Sequence, residues 1–356
     1  MGARLVHRLL TRGWRVYALG RFQANVAFAD RVKASLDDIA GTPVERDLLA
    51  NLHCLEIDIA DPGLGLSRPI TEVIPASNAI LFHVAGDTRF NPANPESQRQ
   101  INIDGSLNVM HTLRGSIDYA VHVSTAYVAG DRKGLVLESE LDQGQTFRNC
   151  YEQSKLDAEI GIADLCGEID LPLCVVRPSI IINDTATGRS STFTHLNALV
   201  EVINRIQQHY QLGDGEAISE KIRIPIAPDA RPNLAPIDSI VDAMLEIGLR
   251  SPAAGRTYHL CHPCPQSNAE IVSLLAQAFG VHHLIRMSFV SALPENPTWT
   301  EKMMIRSLKP YLPYLNESCV FDLTNTRSVI PDYDSRFPAL ILEYIQRVIE
   351  FQRSLA

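Results

Sequence analysis

Tyr151 and Lys155 are the residues whose types and spacing most directly suggest chemistry. They stand four positions apart in Tyr151-Glu-Gln-Ser-Lys155, so on a helix both side chains lie on one face. A lysine ammonium beside a phenol favours the phenolate and lowers the pKa of the tyrosine. The pair therefore predicts a proton donor that works near neutral pH, although the spacing alone also fits an exposed pair on a surface helix.

A second group of hydroxyls stands upstream, where an apolar segment at 118–124 ends. Ser124 and Thr125 follow Ala120-Val-His-Val directly. Ligands of open α/β sheets bind at the carboxyl ends of parallel strands, so we expect Thr125 to polarise a carbonyl oxygen. Taken alone, a β-branched residue at a strand end is common.

The elements that must position these residues form an alternating pattern. Helices are predicted between short apolar strands, near 27–40, 96–114 and 149–168, with a first helix ending at Gly13. Alternation of this kind is typical of βαβ units and of a parallel sheet covered on both faces. The strands are predicted at 15–19, 53–58, 78–84, 118–124 and 173–178.

The second half of the chain has a looser pattern. We expect a helix-containing insertion at 187–213, helices at 237–250, 266–280 and 335–354, and a strand at 257–261. This predicts a dinucleotide-binding domain at 1–182 plus 236–262 and a smaller substrate subdomain at 183–235 and 263–356. The subdomain is expected to pack on the sheet and not to fold alone.

Composition excludes several classes of protein. The 356 residues carry a formal charge of −9, which argues against nucleic acid as a partner. No apolar run reaches the roughly 18 residues that a membrane span needs. The 7 cysteines are scattered, which indicates a reducing, cytoplasmic location and no disulfide framework. No metal site is predicted.

These features together resemble the extended branch of the short-chain dehydrogenase/reductase superfamily. Within it, details such as Asp87-Thr-Arg-Phe90 and His122-Val-Ser-Thr-Ala-Tyr-Val128 resemble fatty acyl-CoA reductases and thioester reductase domains. The resemblance covers nearly the whole chain and implies a Rossmann-type, doubly wound parallel sheet. Three further motifs match the superfamily: His83-Val-Ala-Gly86, Asn102-Ile-Asp-Gly105-Ser-Leu-Asn108 and Arg177-Pro-Ser179.

One departure from the superfamily pattern lies at the N-terminus. Members begin with a strand and Gly-x-x-Gly-x-x-Gly, which binds the pyrophosphate at a helix N-terminus. Here Gly2 aligns with the third glycine. The expectation is therefore an N-terminally truncated chain without the first, central strand, with weaker stability and weaker dinucleotide binding.

The resemblance also implies roles for particular residues. Tyr151 is implied as the catalytic acid, Lys155 as its partner and Thr125 as the donor to the substrate oxygen. Arg21, at the end of the second strand of the superfamily pattern, suits the 2′-phosphate of NADPH, with NADH as the other possible cofactor. The implied cofactor-binding residues are Gly2, Arg21, Asp58, Ile59, Ala85, Gly86, Asn102, Ser124, Tyr151, Lys155, Pro178 and Ser179.

The function predicted on this basis is NADPH-dependent reduction of an acyl thioester to an aldehyde or alcohol. Whether the acyl group is carried by CoA or by a carrier protein stays open. Two alternatives remain: a sugar-nucleotide epimerase, dehydratase or hydroxysteroid-type dehydrogenase with the same Thr, Tyr and Lys, and a non-catalytic NAD(P)-binding protein.

Overall fold

Parallel strands and covering helices form the frame of the molecule. The computed structural model describes residues 1–23, 25–74, 79–90, 92–191, 193–210, 222–250, 255–280, 288–316 and 319–355. Residue 78 of the predicted strand at 78–84, and residues 192 and 211–213 of the predicted insertion, lie outside the described residues. The strands are β1 (Val16–Gly20), β2 (Leu52–Glu56), β3 (Ile80–His83), β4 (Tyr119–Val123), β5 (Gly134–Val136), β6 (Leu173–Pro178), β7 (Ile180–Ile182), β8 (Arg223–Ile224), β9 (Leu234–Pro236), β10 (Thr257–Leu260), β11 (Ser288–Phe289) and β12 (Cys319–Phe321).

The helices alternate with these strands in the first half and cluster in the second. Between Arg99 and Gly105 the chain forms a π-helical turn, Gln100–Asp104. The helices are α1 (Gly2–Thr11), α2 (Phe28–Ala40), α3 (Arg46–Leu49), α4 (Pro95–Arg99), α5 (Gly105–Leu113), α6 (Cys150–Glu168), α7 (His195–Tyr210), α8 (Ile237–Gly248), α9 (Asn268–Ala278), α10 (Trp299–Leu308), α11 (Leu312–Leu315), α12 (Thr324–Val329) and α13 (Leu342–Ser354).

The central sheet has the order β10-β6-β4-β3, and all of its pairings are parallel. Strands β1 and β2 form a separate parallel pair, in register from Val16 with Leu52 to Gly20 with Glu56. Among the described residues, no strand pairs with the free edge of β1 or of β3. The predicted parallel α/β fold is confirmed. Its sheet is divided between β1 and β3, which is the position where the superfamily pattern places a further strand.

The main hydrophobic core connects the sheet to the second half of the chain. Val121 and Val176 of the sheet belong to the same buried cluster as Leu196 of α7 and Tyr344 of α13. A smaller cluster is built only from residues after 197, among them Ile206 and Met304. The second half therefore packs on the sheet and adds a small core of its own.

In the second half of the chain, one predicted helix begins later than expected, and one further helix has no counterpart in the prediction. The last helix begins at Leu342, because the segment before it forms a short 3₁₀ turn at Tyr333–Arg336 and then reaches Pro338, which would interrupt a helix. Helix α10 was not predicted, although Thr298 and Glu301 form a capping box at its start that the sequence shows as Thr-x-x-Glu.

Candidate active site

Thr125 and Tyr151 meet at the carboxyl end of the four-stranded sheet. Thr125 follows β4 and begins a 3₁₀ turn, where its Oγ1 accepts a hydrogen bond from the Tyr127 amide at 3.3 Å. The same hydroxyl donates to the Pro178 carbonyl at 3.4 Å and is buried. Both bonds are long, so the Thr125 hydroxyl is free to turn towards a substrate oxygen.

Tyr151 stands in the first turn of α6. Burial raises the pKa of its phenol to about 12, against the opposing effect of a hydrogen bond with Thr125. The spacing predicted that Lys155 would lower this pKa. In the structure the largest cause is burial, which disfavours the phenolate and raises the pKa instead. A raised pKa keeps the phenol protonated at neutral pH, as a proton donor requires.

Lys155 lies one helical turn further along α6 and points into the protein. Its Nζ donates to the Val123 carbonyl at 2.8 Å, and 4% of the residue is exposed. Burial lowers the pKa of Lys155 to about 8, while the Glu159 carboxylate acts in the opposite direction. The ammonium is therefore held against the end of β4, beside the residue that precedes Ser124 and Thr125.

A buried ion pair fixes α6 against the sheet. The Arg177 guanidinium on β6 donates to both carboxylate oxygens of Glu159, at 3.1 and 3.2 Å from Nε. The Nη1 atom of the same guanidinium donates to the Glu140 carbonyl at 2.7 Å. Since both charged groups are about 2% exposed and well hydrogen-bonded, removing either partner would leave a buried charge.

The start of α6 is fixed from the second half of the chain. Asn149 caps the helix by accepting from the Glu152 amide at 3.0 Å. Glu152 is fully buried and accepts from the Tyr314 hydroxyl at 2.6 Å. Tyr314 in turn accepts from the Asn149 side chain at 2.7 Å. One tyrosine of α11 therefore joins the cap and the first turn that carries Tyr151.

Two stacked histidines lie near Lys155. The rings of His83 and His122 are 5.5 Å apart, and His83 Nε2 bonds to Ser106 Oγ at 2.9 Å. Burial and the nearby Lys155 charge lower the pKa of His83 to about 3 and that of His122 well below its usual value. Both rings are therefore neutral, and Lys155 is the cation of this part of the site.

The implied cofactor residues fall into two groups. The first group lies around the two-stranded sheet. Gly2 begins α1, Arg21 follows β1, and Asp58 and Ile59 follow β2. Gly2 opens α1 without a side-chain cap, so its first amides are available to an anion. Arg21 is exposed and has no ion pair among the described residues.

Most of the remaining implied cofactor residues lie at the ends of β3, β4 and β6, and one lies in the π-helical turn Gln100–Asp104. Those at the strand ends are Ala85, Gly86, Ser124, Pro178 and Ser179, and the one in the turn is Asn102. A Cβ on Gly86 would stand 3.2 Å from Asn102 Oδ1. Asn102 itself is buried and bonds the Asp87 amide at 2.7 Å and Ser154 at 2.9 Å. It therefore ties the loop after β3 to α6 and has few bonds left for a ligand.

These residues fit a dinucleotide. The Ser124 Oγ is buried without a hydrogen-bond partner in the described part of the chain, and Gly86 leaves room beside the sheet edge. Uncapped amides at Gly2 and the exposed Arg21 supply positive charge. Ile59 and Asp58 follow β2, where Asp58 is held by the Ala60 amide at 3.0 Å.

Beside Tyr151 stands an aromatic wall that the sequence did not reveal. Phe90 is its centre, with ring centroids 6.2 Å from Tyr151 and 6.2 Å from Tyr311. Tyr314 lies 5.2 Å from Phe90, and His195 lies 4.2 Å from Tyr311. The wall, defined by Phe90, His195, Tyr311 and Tyr314, is assembled from segments far apart in the sequence, so no local pattern could predict it.

The described residues hold no group of three or more His, Cys, Asp or Glu side chains arranged for a metal ion. Nor does the described part of the chain include a helix long and apolar enough to cross a membrane.

The fold and the site together define an extended short-chain dehydrogenase/reductase that resembles thioester reductases. The family model described as "Male sterility protein", an NAD-binding family, matches residues 1–244. The chain therefore belongs to this family, and the matched part of the chain is of the NAD(P)-binding type.

Known proteins similar to the chain include assembly-line reductase domains. The terminal R domain of the myxalamid PKS-NRPS pathway superimposes with a TM-score of 0.78, at 20% identity, over 100% of this chain and 88% of that one. A thiolation-reductase di-domain of an archaeal non-ribosomal peptide synthetase gives 0.73, at 15% identity, over 99% and 73%. The nonribosomal peptide synthetase asaC of Aspergillus flavus is 23% identical over 85% of this chain and 30% of its own length.

The chain spans less than a third of the length of the curated relatives that it matches.

Proposed function

We propose that the protein is an NADPH-dependent reductase that converts an acyl thioester, carried on CoA or on a carrier protein, to an aldehyde or alcohol. Thr125, Tyr151 and Lys155 are the residues proposed to carry the reaction. The division into a dinucleotide domain (1–182 plus 236–262) and a substrate subdomain (183–235 and 263–356) belongs to the same proposal. All seven cysteines are free, which supports a cytoplasmic location.

The aromatic wall is the observation that favours an acyl substrate. A sugar nucleotide needs polar donors and acceptors around its hydroxyls, because a polar group buried without a partner is costly. Next to Tyr151 the chain instead presents the rings of Phe90 and Tyr311, and burial lowers the pKa of His195 to about 3, which keeps that ring uncharged. An apolar acyl chain gains from contact with such surfaces.

The chain's own residues can stabilise the charge that develops during thioester reduction. NADPH, when bound, supplies the hydride for the thioester carbon. The carbonyl oxygen then becomes negative, and the hydroxyls of Thr125 and Tyr151 donate hydrogen bonds to it. The tetrahedral adduct collapses when its C–S bond breaks, which leaves an aldehyde and a thiolate that takes up a proton. Lys155 stabilises the tyrosinate that forms if Tyr151 transfers its proton.

Arg21 supports NADPH as the cofactor. Its guanidinium stands at the carboxyl end of β1, where enzymes that use NAD tend to place an acidic residue for the ribose hydroxyl. No such acid follows Gly20 here, because the next residues are Arg21 and Phe22.

The test is product analysis with purified protein, an octanoyl-pantetheine thioester and either NADPH or NADH. We expect one NADPH consumed for each aldehyde released, or two for each alcohol, and no turnover in Tyr151→Phe. Interconversion of a UDP-sugar without net cofactor consumption would show instead that the chain is an epimerase. Cofactor binding without turnover of either substrate class would favour the non-catalytic alternative.

A further inference from the structure

Helix α10 and the residue that caps its C-terminus carry a line of basic side chains on one outer face, here called the basic stripe: Lys302, Arg306 and Lys309. The spacings of four and three residues place them on one side of the helix, over about 10 Å of its length. All three are exposed, whereas Met304 and Leu308 of the same helix are buried in the smaller hydrophobic cluster. The stripe is therefore the solvent face of an amphipathic helix.

The stripe has no acidic partner within the part of the chain that the structure describes. None of its three cations makes an ion pair there. The acidic residue of the same helix, Glu301, is buried and instead holds Arg223 at 2.7 Å. In a chain with a net charge of −9, three exposed cations in a row form a local positive field that opposes the overall charge.

The stripe ends beside the candidate active site. Lys309 is followed within two residues by Tyr311, whose ring lies 6.2 Å from Phe90 of the aromatic wall. At the other end of the helix, Trp299 is 50% exposed and stacks on His209 at 3.6 Å. The same face thus offers an aromatic anchor and a line of charge, and its last cation lies two residues before a member of the aromatic wall.

We propose that the basic stripe docks an acidic carrier domain that presents the acyl group as a thioester on a flexible arm. This rests on the proposed function and names the carrier-bound form as the substrate. Charge complementarity supports the proposal, because an acidic domain would meet three exposed cations on a chain whose net negative charge would otherwise repel it. Rim charges of this kind act mainly on the association rate and its salt dependence.

The test compares two forms of one acyl group. The probes are an octanoyl thioester on the phosphopantetheine arm of an acidic thiolation domain, and the octanoyl thioester of uncharged pantetheine. The variant is Lys302→Glu with Arg306→Glu and Lys309→Glu. The matched control reverses three exposed cations beside the two-stranded sheet, Arg15, Lys33 and Arg46, with the same change in net charge.

We expect kcat/KM for the thiolation-domain substrate to fall about tenfold or more in the stripe variant at low salt. It should fall less than threefold in the control, and pantetheine turnover should stay within twofold in both. Raising the salt concentration should lower the kcat/KM of wild type for the thiolation-domain substrate and should change that of the stripe variant little. An equal fall in both variants, or a matching loss with pantetheine, would overturn the proposal.

Binding is measured alongside turnover. If the wild-type protein reduces neither thioester, the proposed function fails, whereas the dissociation constant of the loaded thiolation domain still decides the docking surface. A constant that is the same for wild type and stripe variant rejects the surface. Tighter binding of anionic vesicles or of a DNA oligonucleotide through the same three residues would also reject the carrier domain as its partner.

Discussion

The four-stranded sheet and the two-stranded sheet of this molecule differ in burial and in the residues that they position. Every residue of β4 is buried, whereas none of β2 is. The four-stranded sheet positions Thr125, Tyr151 and Lys155 through buried bonds to α6, while the two-stranded sheet carries Arg21 and Asp58 near its exposed end. The three residues proposed to react need fixed geometry, and a packed core provides it. Arg21, which is proposed to select the 2′-phosphate, would act through its charge and tolerates an exposed position.

The largest effect is expected on turnover from the four-stranded region. Tyr151→Phe removes only the phenolic hydroxyl, so thioester reduction should fall by about 10² to 10⁴-fold, while the dissociation constant of NADPH changes less than about threefold. Single-turnover reduction and a fluorescence titration with NADPH measure the two. Unchanged turnover would show that the chemistry lies elsewhere.

The buried ammonium of Lys155, which is proposed to support catalysis, should lower the stability of the folded protein. The folded protein lowers the pKa of Lys155 from 10.5 to about 8, so below pH 8 the buried ammonium opposes folding by roughly 3 kcal/mol. Lys155→Met should therefore be inactive yet more resistant to urea at pH 7.

The sign of the pH dependence follows from the same shift. Between pH 8 and 10.5 the unfolded wild-type chain binds the extra proton, so its free energy of unfolding rises with pH and approaches that of Lys155→Met. A stability difference that does not change over this range would contradict the buried ammonium.

A glycine-to-alanine substitution in each region compares how tightly the two regions are packed. A Cβ on Gly248 would lie 2.5 Å from the Phe82 ring and 3.1 Å from Val121 of β4, whereas the three atoms nearest to one on Gly20 all belong to the Phe28 ring, at 2.3 Å and beyond. Both rings are partly exposed and can turn, but Val121 is fully buried. Gly248→Ala should cost about 1–3 kcal/mol of unfolding free energy and Gly20→Ala less than about 1 kcal/mol, measured by urea denaturation. Equal losses of unfolding free energy in the two variants would show that the two regions do not differ in how tightly they are packed.

The smallest effect on stability is expected from the two-stranded region. Arg21→Asp should reduce the preference for NADPH over NADH by about tenfold or more, because the charge-assisted contact with the 2′-phosphate is lost. Unfolding free energy should change by less than about 0.5 kcal/mol, since the side chain is exposed. The ratio of kcat/KM for the two cofactors measures the preference. If wild type already prefers NADH, Arg21 is an ordinary surface residue.

Much of the first half of the chain could be read from local patterns. The strand predicted at 15–19 is Val16–Gly20, and that predicted at 118–124 is Tyr119–Val123. Fully buried strands bounded by turns leave a clear apolar signal. The second half was less readable, because its short strands and its last helix depend on packing against the sheet and not on periodicity.

The sequence by itself determined the alternation of strands and helices, the placing of Tyr151 and Lys155 on one helical face and the position of Thr125 after a buried strand. These follow from residue spacing of 2 and 3.6, which is local. Only the tertiary structure decided what surrounds them. The Arg177–Glu159 pair, the Tyr314–Glu152 bond and the aromatic wall each join segments far apart in the chain, and burial among them raises the pKa of Tyr151, which the adjacent lysine was expected to lower. Desolvation depends on every group that packs around a side chain, and no spacing within one helix contains that information.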